Sequence, residues 1–285
     1  MNSYQPARGR KSLKGAVEVA LQISDYLSFV KDCLFAAHQA VLNIEKSQDA
    51  GLSLGKGAYG DTTYKVDRVA EDAAISVAKE YFENPNIISE EAGVKNGRGV
   101  YILLDPVDGS TNAKRGVGLF STSVAVSESR EFSGIVAAGV IDHSNSRMVW
   151  GDGSKVFEDW RLAQPSRISN LEDAVVSFDS KFFMLSEEKM SRVNRLMRMV
   201  RYPRVFSTAA LETAYIASGR IDAYVCSGGK LRSFDCFPSL FLLKTAKCPF
   251  SLEGLEDMRL DTKQTFAYYA ASNDILYRKV SEILS

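Results

Sequence analysis

The stretch Leu103-Leu104-Asp105-Pro106-Val107-Asp108-Gly109-Ser110-Thr111-Asn112 runs an apolar segment straight into two acids, a glycine and two hydroxyls. Pro106 stiffens the turn, so Asp105 and Asp108 can converge on one point with the Val107 carbonyl beside them. Isolated aspartates titrate near about 3.9 and are ionised at neutral pH. Massed without a cation, they repel and raise one another's pKa. Hard oxygen ligands of this kind suit Mg²⁺ or Mn²⁺. Gly109-Ser110-Thr111 then opens a helix, whose free N–H groups and positive dipole end suit an anion. The plain alternative is an Asp-Pro-x-Asp-Gly turn with Ser and Thr capping a helix. A mere turn needs neither two acids nor the further acids that flank it.

Outward from this motif, Ala16–Ile44 carries helical periodicity and Asp49–Asp61 is a glycine-rich loop expected to close over the site. A second helix is expected from Asp67, as its N-cap, through Phe82. Ile87–Ser89, Val100–Leu104, Ser121–Val126, Gly134–Ile141 and Met148–Gly151 read as strands, the adjacent ones antiparallel. Beyond residue 165 strands and helices alternate: Ala174–Phe178, Glu187–Val200, Arg204–Ser207, Leu211–Ser218, Ile221–Cys226, Asp235–Ala246, Phe266–Ala271 and Asp274–Leu284. The organisation expected is a flexible basic tail over residues 1–15, an N-terminal α+β domain over 16–165 with the aspartate motif, and a C-terminal α/β domain over 166–285 supplying Asp235.

Supporting acids stand at Ser89-Glu90-Glu91, at Asp61 with Thr63, and at Phe234-Asp235. Singly, each has a plain reading as a solvated helix start or a cap. In order, Gly60-Asp61-x-Thr63, Ser89-Glu90-Glu91, Asp105-Pro-x-Asp-Gly-Ser-Thr-Asn and Phe234-Asp235 resemble the inositol monophosphatase family. The flavour is that of its archaeal branch, whose members often hydrolyse both inositol phosphates and fructose 1,6-bisphosphate. The likeness covers about residues 16–280 and continues in Ser207–Glu212, Ala217–Ala223 and Lys230–Asp235.

The resemblance implies an α/β layered αβαβα sandwich, usually a homodimer, and a Mg²⁺-dependent phosphomonoesterase working by metal-activated water attack. It implies that Glu90, Asp105 and the Val107 carbonyl hold one ion, and that Asp105, Asp108 and Asp235 hold another. Asp61 would help to place a third, giving two or three Mg²⁺ ions, with Mn²⁺ as a substitute. Glu90 and Ser110 would orient the water, Asp61 would assist through Ser110, and the amides of Gly109, Ser110 and Thr111 would hold the phosphoryl group. Asp108 and Ala209 would border the substrate. The chemistry is consistent with this: phosphate monoesters need acceleration up to about 10²¹-fold, and two metals about 3.5–4 Å apart can bind the attacking and leaving oxygens.

The chain departs from inositol-specific relatives at Gly228, where they carry an acid for ring hydroxyls. Arg204, Lys230 and Arg232 are basic, and read either as contacts to a second phosphate or as salt-bridge cations. Trp150–Trp160 lacks the Gly-x-Gly-Ala and Asn-Gly hairpin usual after this strand. Lys114 and Arg115 read as anion-steering or as solvated helix charges, and neither His38 nor His143 is needed by the expected mechanism. A 3′-phosphoadenosine 5′-phosphate phosphatase is a rival reading, weakened by Thr111 where those enzymes carry Lys. A non-enzymatic regulatory or RNA-machinery partner that keeps the fold is another, supported only by Arg8, Arg10, Lys11 and Lys14.

The chain's 35 basic and 35 acidic residues cancel, so no global field favours nucleic acid, and a small phosphorylated metabolite is the expected partner. Four cysteines without a C-x-x-C pair argue against zinc and suit reduced thiols in a cytoplasmic protein. No apolar stretch is long enough to predict a membrane span.

Overall fold

A computed structural model of the protein describes residues 22–45 and 49–285. The basic N-terminal segment and the first residues of the expected helix at Ala16 lie outside them. Helix α1 (Ile23–Glu45) is followed by a hairpin of β1 (Ser53–Lys56) and β2 (Thr62–Tyr64), then by α2 (Lys65–Tyr81). The glycine-rich segment expected as a loop is therefore mostly hairpin, with Asp61 in its turn. Helix α2 starts two residues earlier than expected: Asp67 is not the cap but accepts the Tyr64 N–H at 2.6 Å from the third helical position.

An eight-stranded sheet follows, built from β3 (Asn86–Ser89), β4 (Gly93–Lys95), β5 (Tyr101–Asp108), β6 (Ser121–Ser127), β7 (Ile135–Asp142), β8 (Arg147–Asp152), β9 (Val156–Glu158) and β10 (Arg161–Leu162). Helix α3 (Ser110–Arg115) interrupts it after β5. Its order is β10-β9-β8-β7-β6-β5-β3-β4, with only the β3–β5 pair parallel. The hairpin after β8 turns through Asp152-Gly153-Ser154-Lys155, without the Asn-Gly pair usual there. The Asp152 carboxylate takes the Ser154 N–H at 2.7 Å and the Lys155 N–H at 2.9 Å instead.

The second half alternates β11 (Val175–Phe178), α4 (Glu187–Met199), β12 (Tyr202–Arg204), α5 (Ala209–Ala217), β13 (Ala223–Leu231), α6 (Ser233–Thr245), β14 (Phe266–Ala271) and α7 (Asp274–Leu284). Its four strands are ordered β12-β11-β13-β14. The expected strand at Arg204–Ser207 ends at Arg204, and Ser207 turns to a φ of 65°.

Period-two alternation explains the stacking. Ile102 and Leu104 of β5, Val124 and Val126 of β6, and Ala137 and Ile141 of β7 pack with Phe29, Val30 and Leu34 of α1 and Ala74 and Ala78 of α2. The intervening Leu103, Ala125, Ala138 and Val140 face the opposite way, into a core with α5, α6 and the inner side of the second sheet. Val176, Phe178, Ala223 and Val225 cover the far side of that sheet with α4 and α7. The result is the αβαβα sandwich expected from the sequence.

Gly139 of β7 is where α1 comes down on the sheet. A Cβ there would lie 2.8 Å from Leu34 Cδ1 and 2.9 Å from Val30 Cγ1. Gly139→Val is therefore expected to cost about 1–3 kcal/mol by overpacking. The urea midpoint should fall at unchanged slope; an unchanged midpoint would mean that α1 is not seated on this residue.

Candidate active site

A regular strand presents every second residue to one face, so Asp105 and Asp108 on an unbroken β5 would point to opposite sides. The register with β6 shows how they do not. Asp105 pairs Ser123 and Asp108 pairs Ser121, three steps on β5 against two on β6. This is a β-bulge, and the extra residue brings both aspartates to the face shared with Leu103. Because β3 and β5 are parallel with Ser89 opposite Leu104, the next residue of each, Glu90 and Asp105, emerges side by side. Asp235 arrives from the other layer, in the first turn of α6, where its carboxylate takes the Arg232 N–H at 2.7 Å. Glu90, Asp105 and Asp235 each offer an oxygen within 4.8 Å of the others.

The bulge is held from below. The Thr122 hydroxyl donates to the Pro106 carbonyl at 2.6 Å, so its oxygen accepts from His143 Nε2 at 2.9 Å. That leaves His143 Nδ1 as an acceptor for His38 Nδ1 at 3.0 Å, and His38 Nε2 takes the Ser146 hydroxyl at 3.0 Å. His143 must be neutral for this relay to close. Burial depresses the pKa of each in agreement, with His38 adding to the effect on His143. Neither histidine was expected to matter, because their partners lie far apart in the chain.

Beyond the bulge, Gly109 turns the chain at a φ of 85° and packs against residue 208; a Cβ there would lie 2.7 Å from Thr208 Cγ2. Only glycine meets both conditions. The first amides of α3 lack intrahelical acceptors, as at any helix start, and open on the cleft. Asp108 also lines the cleft, but one of its oxygens is fixed by the Ala210 N–H at 2.8 Å at the start of α5. The cleft encloses about 400 Å³.

Asp105 Oδ1 and Asp67 Oδ1 are buried without a hydrogen-bond partner, an expensive state unless a proton or a cation satisfies them. The inositol monophosphatase family model matches residues 24–251. The chain belongs to the inositol monophosphatase family. Among its relatives, the fructose-1,6-bisphosphatase/inositol-1-monophosphatase of Methanothermobacter thermautotrophicus is 28% identical, over 86% of this chain and 91% of that one. The Nus factor SuhB of Pasteurella multocida is 30% identical, over 60% and 64% respectively. In fold, the chain is similar to the extragenic suppressor protein suhB of Bartonella henselae, with a TM-score of 0.76 and 21% identity over 90% of this chain and 97% of that one. Membership of the inositol monophosphatase family makes the chain a phosphoric monoester hydrolase.

Within this inositol monophosphatase framework the other expected residues divide. Val107, Gly109, Ser110, Thr111, Ala209, Lys230 and Arg232 line the cleft. Arg204 does not: it sits exposed on edge strand β12 with its guanidinium on the Pro203 carbonyl, outside the cleft where a substrate contact was expected. Asp61 lines the cleft mouth but is ion-paired with Arg232. The carboxylate beside the Ser110 hydroxyl is that of Asp67, whereas Asp61 was expected to act through it. Asp67 is buried at the start of α2, and its N-cap reading concealed it. Ser110 gives its proton to the Val107 carbonyl at 2.9 Å. Asp179, Ser180 and Lys181 also line the cleft, unforeseen because they occupy a short turn after β11. Gly228 faces them: a Cβ there would lie 3.5 Å from Asp179 Oδ2.

Burial pushes Glu90, Asp105 and Asp108 well above the usual carboxylate range, and each is raised further by its neighbours, Asp235 among them. Burial lifts Asp235 to about 6, partly offset by the Arg232 amide and charge. Asp67 rises to about 7, again through burial. The folded chain therefore holds more protons on these acids than the unfolded one above about pH 4, and their contribution to stability falls as pH rises through about 7. His38 and His143, held neutral, act in the opposite sense below about pH 6.5. A divalent cation binds the deprotonated acids, so its effect isolates them. Mg²⁺ is expected to raise the melting temperature more at about pH 7.5 than at about pH 5. An increment independent of pH, in scans with EDTA or with Mg²⁺, would contradict the acid cluster as the cation site.

Proposed function

We propose that the protein is a Mg²⁺-dependent phosphomonoesterase acting on a small sugar or inositol phosphate, inositol 1-phosphate and/or fructose 1,6-bisphosphate. The observation that carries this reading is the convergence of Glu90, Asp105 and Asp235 within 4.8 Å, in one cleft with the start of α3. Two or three Mg²⁺ ions, or Mn²⁺, held by Glu90, Asp105, Asp108, Asp235 and the Val107 carbonyl, would supply positive charge at the phosphoryl oxygens and a more acidic water. The amides at Gly109, Ser110 and Thr111 hold the phosphoryl group by donated N–H bonds, without needing to reorganise. Glu90 and Ser110 orient the attacking water, with the Ser110 hydroxyl fixed by the Val107 carbonyl and the Asp67 carboxylate beside it. Asp108 is held rigid by α5 and, with Ala209, borders the ester oxygen. Lys181 and Lys230 line the same cleft, which favours a substrate with a second phosphate.

Among the described residues no helix is long and apolar enough to cross a membrane. All four cysteines are buried and free, which suits the reducing cytoplasm. We take the working form to be a homodimer, on the family resemblance. The Nus factor relatives favour a second reading, a partner of the RNA machinery that keeps the fold.

Phosphate release from inositol 1-phosphate, fructose 1,6-bisphosphate and 3′-phosphoadenosine 5′-phosphate, with Mg²⁺ omitted and restored, distinguishes these readings. Release from one of the first two only with Mg²⁺ is expected. Asp105→Asn should lower that rate at least about 100-fold, since loss of even an outer partner of a metal ligand costs 10–100-fold. Near-normal turnover in this variant would remove Asp105 from the centre. No release from any substrate, together with tight RNA or protein binding, would replace the enzyme reading by the second.

A further inference from the structure

Arg232 is not disposed as a free contact for a substrate phosphate. It caps α6, and its side chain turns across the cleft mouth to two carboxylates on different elements. One guanidinium nitrogen is 3.3 Å from Glu90 Oε1, and another is ion-paired with Asp61 Oδ2. The group also lies over the rings of Tyr59, at 5.2 Å, and Phe234, at 5.7 Å. Aromatic faces on the hairpin turn and on α6 therefore help to fix the cation between the two acids. The Arg232 side chain is 25% exposed and Glu90 21%, so the Glu90 arm is shielded from water as a surface ion pair is not, whereas Asp61 is 64% exposed.

Guanidinium cannot shed its proton at any physiological pH. It occupies the ground between Asp61 and Glu90 as a permanent positive charge, tethered to the chain and available at no cost in free ion. A divalent cation there would have to displace it and hold the same oxygens at about 2.0–2.1 Å. We propose that Arg232 takes the place of a divalent ion between Asp61 and Glu90, so that the site binds one ion fewer than its carboxylates could hold. This rests on the metal-dependent reading above. Asp61 then serves Arg232, while Glu90 is shared between Arg232 and the ions at Asp105 and Asp235. The clamp also ties the hairpin turn to α6, so that the cleft mouth has its shape before any ion enters.

The test counts ions directly. Bound Mn²⁺ per chain is measured by electron paramagnetic resonance titration, with inorganic phosphate present, for the wild type and variants. Arg232→Gln is expected to bind one more Mn²⁺ per chain than the wild type, and Arg232→Lys the same number as the wild type. The added ion should vanish when Asp61→Asn is combined with Arg232→Gln. Asp61→Asn alone changes an exposed side chain and should leave the wild-type count intact. Loss of an ion in Asp61→Asn would overturn the proposal, because Asp61 would then be holding metal rather than Arg232. An unchanged count in Arg232→Gln, or a uniform weakening of every ion, would overturn it too, leaving Arg232 as a structural clamp. Absence of phosphatase activity in the wild type would count against the enzyme reading, while the ion count would still be read.

Discussion

Two acids three residues apart cannot share one face of a regular strand, and this geometric constraint governs the molecule. The bulge between Asp105 and Asp108 resolves it, and the surroundings exist to hold that irregularity. A bulge costs ladder hydrogen bonds and leaves polar backbone atoms looking for partners. The Pro106 carbonyl finds the Thr122 hydroxyl, and the Val107 carbonyl finds Ser110. Behind Thr122, the two histidines extend the same support to α1 and to the turn before β8. Polar groups this deep in a core are costly unless every member is satisfied. The relay from Ser146 to Pro106 meets that condition, every polar atom along it having a partner.

The second consequence of the bulge is electrostatic. Carboxylates gathered in a shielded cleft raise one another's affinity for protons. The chain answers with backbone N–H groups on Asp108 and Asp235, and with the Arg232 guanidinium on Glu90. None of these removes the need for further positive charge, because Asp105 Oδ1 and Asp67 Oδ1 still lack partners. The arrangement thus combines a strong preference for cations with an adjoining helix start that prefers anions. A phosphate ester brought together with divalent metal satisfies both.

Much of this was legible in the sequence. The strands that pack on both faces are continuous apolar runs, and their alternation is visible once two opposing cores are assumed. The aspartate motif announced a gathering of acids through residue type, and Glu90, Asp105 and Asp235 do converge within 4.8 Å. What stayed hidden were relations set by register rather than by pattern. Asp67 looks like a helix cap and partly is one, yet its carboxylate lies beside Ser110. Arg204 and Arg232 carry the same charge, but one lies on an exposed edge strand and the other between two acids. Asp179 and Lys181 sit in a short turn without periodicity, where no local signal announces a cleft. The hairpin at β1 and β2 escaped because glycine-rich composition indicates turns without saying that strands flank them.

The layered stacking also has a temporal meaning. Glu90 and Arg232, which meet across the cleft mouth, are separated by 142 positions in the chain. Asp235 follows three residues later, on a helix from the far side of the central core. During vectorial synthesis, the first sheet and its aspartates emerge long before α6 exists. Until then Glu90, Asp105 and Asp108 have neither the Arg232 charge nor the Asp235 carboxylate beside them. The nascent chain therefore lacks the finished acid cluster, which is complete only with the strand ending at Leu231 and the helix after it.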